Sequence, residues 1–184
     1  MPRLLVLNGP PGVGKSTLAQ RYLADHPGAL NLDVDRLRRF LGRWRADPVG
    51  SASLVRTFGV TAARTHLIAG HDVVVPHYLG RVEHVQEWES LADDIGVEYR
   101  EFVLLESKDR ILARFAARTA AAVDPVHLDA QQLLDAAGGT PQLEAMYDRL
   151  LLLMANRPHA QLLAAPEGDP DATYAGLLDR LAAG

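Results

Sequence analysis

Nine residues near the N-terminus, Gly9-Pro10-Pro11-Gly12-Val13-Gly14-Lys15-Ser16-Thr17, restrict what this chain can fold into more than any other stretch. An apolar run, Leu4-Leu5-Val6-Leu7, precedes them and a helical pattern, Leu18-Ala19-Gln20-Arg21-Tyr22-Leu23, follows. The spacing fits G-x-x-x-x-G-K-[ST] in the strand-then-helix setting that this motif requires. Its physics is anion binding. Glycines let the backbone wrap around phosphate oxygens, and successive amide N–H groups converge at a helix N-terminus whose dipole favours negative charge. The nine residues are therefore expected to hold a nucleoside triphosphate, ATP being the default. Lys15 is expected to reach the β- and γ-phosphates and the Ser16 hydroxyl to ligate Mg²⁺.

The rest of the sequence narrows the class by exclusion. The chain has 184 residues, enough for one well-cored domain and short for two. There is no cysteine, which removes disulfides, thiolate catalysis and cysteine-based zinc sites. The seven histidines show no H-E-x-x-H spacing, so zinc is not expected. A net charge of −4 argues against a nucleic-acid partner, since phosphate backbones need a basic face. No apolar run reaches membrane-spanning length and no export signal is evident, so a cytoplasmic protein without a membrane partner is expected. Lysine occurs only at Lys15 and Lys108 in a chain rich in arginine. Lysine at the phosphate position fits the need there for a compact point charge.

Along the chain, short apolar runs alternate with helical patterns. A first helix runs from about Lys15 to Asp25, and Ala29–Leu32 reads as a second strand ending in Asp33-Val34-Asp35. An arginine-rich helical stretch, Arg36 to Leu41, leads to a loop over Gly42–Gly50. Ser51–Ala69 is a long helix with Leu54, Val55, Phe58, Ala62, Leu67 and Ile68 as its apolar residues. Val73-Val74-Val75 is a buried strand, followed by Pro76-His77-Tyr78 and a helix carrying Val82, Val85, Trp88 and Leu91. Tyr99–Glu106 is the fourth strand, and Ser107 opens a helix through Arg118. The signal weakens over Thr119–Gly139; a helix over Pro141–Asn156, a fifth strand over Ala160–Ala164 and a terminal helix complete the chain. This alternation predicts an α/β fold, a five-stranded parallel sheet covered on both faces in three layers. Ligands of such sheets bind beyond the carboxyl ends of the strands, where strand order reverses.

Asp33 and Asp35 fall at that edge. Phosphoryl transfer to a hydroxyl needs a held metal ion and a carboxylate for the acceptor's proton. Asp33 is assigned to the metal shell through water and Asp35 to the acceptor hydroxyl, with the reverse order left open; as bland alternatives, Asp35 caps a helix and Asp33 is a solvated turn residue. Arg36, Arg38, Arg39, Arg43 and Arg45, with Trp44 among them, are candidates for an anionic or aromatic acceptor, or simply a solvated face. His77 and Tyr78 either line the acceptor pocket or belong to a plain loop.

A phosphate loop near the N-terminus, Asp-x-Asp after the second strand and a basic helix after the fourth resemble the small P-loop kinases, among them shikimate kinase, gluconate kinase and chloramphenicol phosphotransferase. The resemblance covers most of the chain, and only the loop is highly specific. It implies a P-loop NTPase fold of the nucleoside-monophosphate-kinase kind, one domain over residues 1–184 with a lid within 114–140. It also implies an ATP-dependent kinase acting on a hydroxyl of a small molecule. A nucleotide hydrolase or switch, and a kinase of nucleotide or polynucleotide ends, are the alternatives. In this group the second strand's aspartate serves the acceptor hydroxyl, and lid arginines close over the triphosphate. Arg114 and Arg118, one helical turn apart, match those arginines. Arg157 and the loop Ala165–Thr173 match the adenine-binding region. The chain departs from the group after its third strand, where many relatives carry an acidic residue and this one carries Pro76-His77.

Overall fold

Runs of Val and Leu with no polar alternation form strands only where helices cover both faces of a sheet. The strands are β1 (Arg3–Asn8), β2 (Leu30–Asn31), β3 (Val73–Pro76), β4 (Glu98–Leu105) and β5 (Gln161–Ala164). They hydrogen-bond in the order β2-β3-β1-β4-β5, every pair parallel, in a computed structural model that describes residues 1–121, 124–164 and 169–183. The helices are α1 (Lys15–Asp25), α2 (Val34–Arg38), α3 (Pro48–Ile68), α4 (Val82–Ile95), α5 (Lys108–Ala121), α6 (Pro125–Ala136), α7 (Thr140–Ala155) and α8 (Pro170–Ala182).

The period of two along each strand divides the core. Leu4 and Val6 of β1, with Val73 and Val75 of β3, pack with α3, α4 and α7 around Trp88 and Leu150. Leu5 and Leu7, with Val74, Phe102 and Leu104, pack against α1 and α8 through Leu18, Tyr22 and Leu177. Three layers result, as the sequence predicts. A third, smaller cluster of Phe115, Leu134 and Leu143 joins α5, α6 and α7 above the sheet edge.

The sequence pattern differs from the structure at three places. The second strand contracts to Leu30–Asn31, because β2 is an edge strand and Asp33 turns the chain into α2. The weak region after Thr119 contains a complete helix, α6, started by Asp124, whose side chain accepts from the Val126 N–H, and by Pro125. Its apolar content is modest because it covers a small core. On α3 the buried line is Val55, Gly59, Ala63 and Leu67, whereas Leu54, Phe58 and Ile68 face outward.

β1 is central, flanked by β3 on one side and β4 on the other, so strand order reverses at its carboxyl end. Gly9–Thr17 starts there. Asn8 fastens this corner: its Oδ1 accepts from the N–H groups of Gly9 (2.8 Å) and Leu79 (2.9 Å), and its Nδ2 donates to the Leu79 carbonyl (3.0 Å). The fully buried amide thus joins the phosphate loop to the segment after β3.

Candidate active site

The loop's geometry depends on its glycines at two points. Gly12 (φ 90°) and Gly14 (φ 107°) lie in the left-handed region, which side chains with a Cβ disfavour. At Gly12 a Cβ would also approach the Phe115 backbone nitrogen to 3.3 Å, so the loop lies close against α5. Lys15 folds over the loop, its Nζ donating to the carbonyls of Gly9 (2.7 Å) and Pro10 (3.0 Å). Burial lowers its pKa to about 8; Asp35 opposes that shift, Arg118 adds to it and Asp33 opposes it again.

A cavity of about 360 Å³ opens over the loop, lined by Gly12, Gly14, Lys15, Ser16, Thr17, Arg114, Ala117, Arg118 and His127. The i,i+4 spacing therefore brings both arginines to the phosphate side, but their states differ. Arg114 donates to Glu106 (3.0 Å), a buried carboxylate just after β4 that also accepts from Arg110 (3.2 Å). Arg118 has no ion pair among the described residues, and its buried Nε has no hydrogen-bond partner. The guanidinium lies over the Phe115 ring at 4.9 Å, and burial lowers its pKa against the pull of Asp35 and Asp124. A half-buried guanidinium with its Nε unpartnered, lining the cavity over an anion loop, fits a triphosphate's oxygens. A smaller cavity, about 90 Å³, continues past Gly14 and Arg114 to Leu104, Asp169, Pro170 and Thr173. The adenine region predicted over Ala165–Thr173 falls partly outside the described residues, and Pro10, Pro11 and Val13 complete the loop itself.

Asp33 and Asp35 do not share a role. Asp33 is the N-cap of α2; its Oδ1 accepts from the N–H groups of Asp35 (3.1 Å) and Arg36 (3.3 Å), and its Oδ2 lies 3.3 Å from Arg36 Nε. The cap is thus Asp33, not Asp35, and it is nearly buried rather than solvated. Burial first, then Asp35, raises the Asp33 pKa. Asp35 faces the cleft, with Oδ2 3.5 Å from His77 Nδ1 and Oδ1 3.6 Å from the Arg38 guanidinium. Desolvation pushes its carboxyl up, only in part because the side chain is half-exposed, and His77, Arg38 and Lys15 outweigh that and hold it below the usual carboxylate range. His77 thus stands where relatives place an acid, and it faces one. No cluster of three or more metal-ligating side chains occurs among the described residues. Ser16, Asp33 and Asp35 carry oxygen donors of the kind Mg²⁺ takes beside phosphates and water, and both carboxylates act on Lys15 electrostatically.

On the acceptor side two cavities meet at Arg38 and Gln142. One, about 190 Å³, is largely apolar, lined by Pro11, Asp35, Trp44, Phe115, Leu133, Leu134 and Met146 among others. The other, about 380 Å³, is lined by His77, Tyr78, Arg56, Arg81, His84 and Arg149 among others. His77 and Tyr78 are therefore cavity walls. Of the arginines after Asp35, Arg36 pairs with Asp124, Arg39 and Arg45 both pair with the buried Asp129 of α6, and none of the three lines either cavity. Only Arg38 enters both cavities. Arg56, Arg81 and Arg149 carry no sequence signal for this cavity beyond the position of Arg81 in the segment after β3.

Arg157 is a correction. Its guanidinium donates to Glu101 (2.7 Å) and Glu89 (3.0 Å), beneath the sheet face covered by α4, and its side chain is 9% exposed. A cation so enclosed has no face free to stack on a base.

Structures with the same fold include a Chloroflexus aurantiacus protein (16% identity, TM-score 0.66, 100% of this chain and 97% of that one). A Sinorhizobium meliloti gluconokinase follows (16%, TM-score 0.60, 98% and 94%). A third is the tunicamycin resistance protein of Deinococcus radiodurans (15%, TM-score 0.57, 100% and 96%). No curated protein matches the sequence. A family model described as AAA domain matches residues 4–139, and the chain belongs to that family, a family of P-loop kinases.

Proposed function

We propose that this protein transfers the γ-phosphate of ATP to a hydroxyl group of a small molecule, with Mg²⁺. The observation that carries the reading is the position of Asp35. Its carboxylate lines the acceptor cavity beside Pro11 of the phosphate loop, and Lys15 contributes to keeping it ionised. An ionised carboxylate next to the donor phosphates can accept or orient an acceptor's proton. His77 and Arg38 hold its two oxygens from opposite sides. Asp33 Oδ2 and the Ser16 hydroxyl are the groups that would hold Mg²⁺, Asp33 through water. The metal supplies neutralisation of charge on the phosphates. Lys15, Arg118 and Arg114 stabilise charge on the transferring group, and α5 with α6 forms the lid. The adenine lies toward Asp169 and Thr173.

The test is a panel of hydroxyl compounds scored by mass gain of one phosphoryl group. Transfer to a member of the panel is expected from the wild type. Asp35→Asn should retain nucleotide binding and lose transfer by about 10²–10⁴-fold. ATP consumption that stays stoichiometric with free phosphate across the whole panel would sink the kinase reading in favour of a hydrolase.

A further inference from the structure

The larger acceptor-side cavity is unusual in its charge. Arg38, Arg56, Arg81 and Arg149 line it with His77 and His84, and no carboxylate is among its lining residues. Two of these cations are partly neutralised from outside: Arg56 by Glu87 at 3.2 Å and Arg38 by Asp35 at 3.6 Å. Arg81 and Arg149 make no ion pair among the described residues. The Arg38 side chain is 12% exposed, and its buried Nε lacks a partner. Besides Glu87, Arg56 lies 3.1 Å from His84 Nε2, so inside the cavity this cation faces an imidazole. Burial, Arg56, Arg81 and His77 all lower the His84 pKa, against the opposing effect of Glu83. Four guanidinium groups around one cavity with only two flanking carboxylates leave a surplus of positive charge, and an anion with planar or tetrahedral oxygens offsets it.

We propose that the phosphoryl acceptor carries an anionic group, a carboxylate or phosphate, on the same molecule as its hydroxyl, and that Arg38, Arg81 and Arg149 bind that group with Arg56 behind them. This rests on the kinase reading for the placement of the hydroxyl at Asp35. Arg38 spans the two functions: it lines both cavities and touches Asp35, so an anion bound by it fixes the distance from the anionic group to the reacting hydroxyl. A neutral hydroxyl compound lacks that anchor.

Inorganic sulfate serves as the probe. Titrated with the phosphate loop already saturated by a non-hydrolysable ATP analogue, it is expected to bind at one further site, shifting the backbone amide resonances of Leu79, Gly80 and Arg81. Arg81→Gln and Arg149→Gln, both at exposed positions, should together weaken that binding at least tenfold and leave analogue affinity unchanged. Sulfate binding abolished by the analogue, or a second site indifferent to both substitutions, overturns the proposal. In the acceptor panel, transfer to neutral members as efficient as to their carboxylate or phosphate counterparts also overturns it and leaves the kinase reading standing. Sulfate bound at the arginines with no member of the panel phosphorylated separates the two in the other direction.

Discussion

Two arginines, the half-buried Arg118 and the enclosed Arg157, occupy opposite situations. Arg157 lies under the sheet with two carboxylates and closes its own electrostatics; Glu101 beside it is 2% exposed. Arg118 lies at the mouth of the loop cavity with no ion pair among the described residues and a buried Nε without a hydrogen bond. The same residue type is ion-paired in one place and unpaired among the described residues in the other, and the difference lies in what the fold places around it. Burial alone does not mark function. What separates them is whether the described residues supply the cation's partners.

Substitution separates the two. Arg157→Met leaves Glu101 uncompensated in the interior and should destabilise by about 3–5 kcal/mol in denaturant unfolding. Nucleotide affinity of the folded fraction should not change, and adding Glu101→Leu should restore most of the stability. Loss of nucleotide affinity without loss of stability would return Arg157 to the adenine site. Arg118→Ala should do the reverse. Phosphoryl transfer should fall about 10²–10³-fold with the unfolding midpoint little moved, as for removal of one donor to a developing charge. An unfolding midpoint that drops while transfer persists would make Arg118 a structural residue like Arg157.

The smallest effect concerns Lys15. Its pKa is depressed to about 8, so its ammonium is lost as pH rises through that value in the nucleotide-free protein. Triphosphate binding favours the ammonium. Affinity for an ATP analogue should therefore be level below pH 8 and fall by up to about tenfold per pH unit above it. Lys15→Arg, whose charge persists throughout that range, should remove the slope; an equal slope in both proteins would assign the titration elsewhere.

The sites differ also in how legible they were. Gly9–Thr17 was readable because its function is carried by backbone geometry encoded over nine consecutive residues. Asp35 was readable as a candidate, but its separation from Asp33 was not. Which of two carboxylates spaced by two caps a helix depends on where the helix starts, and that was decided by the short edge strand β2. The arginines after Asp35 were equally plausible from their spacing, and only Arg38 lines the cavities. Arg36, Arg39 and Arg45 are held by Asp124 and Asp129 of α6, a helix whose weak pattern hid both it and its carboxylates.

Composition and period determined the layered parallel sheet, since strands apolar on both faces require two covering layers. Motif spacing determined the phosphate loop, and with it the family. Tertiary structure alone decided which cations meet: Arg38, Arg56, Arg81 and Arg149 come from four separate segments and have no common sequence signal. Coulomb interactions act over ångströms of space whatever the chain separation, so a charged cavity assembled from α2, α3, the start of α4 and α7 becomes visible only once those elements are packed.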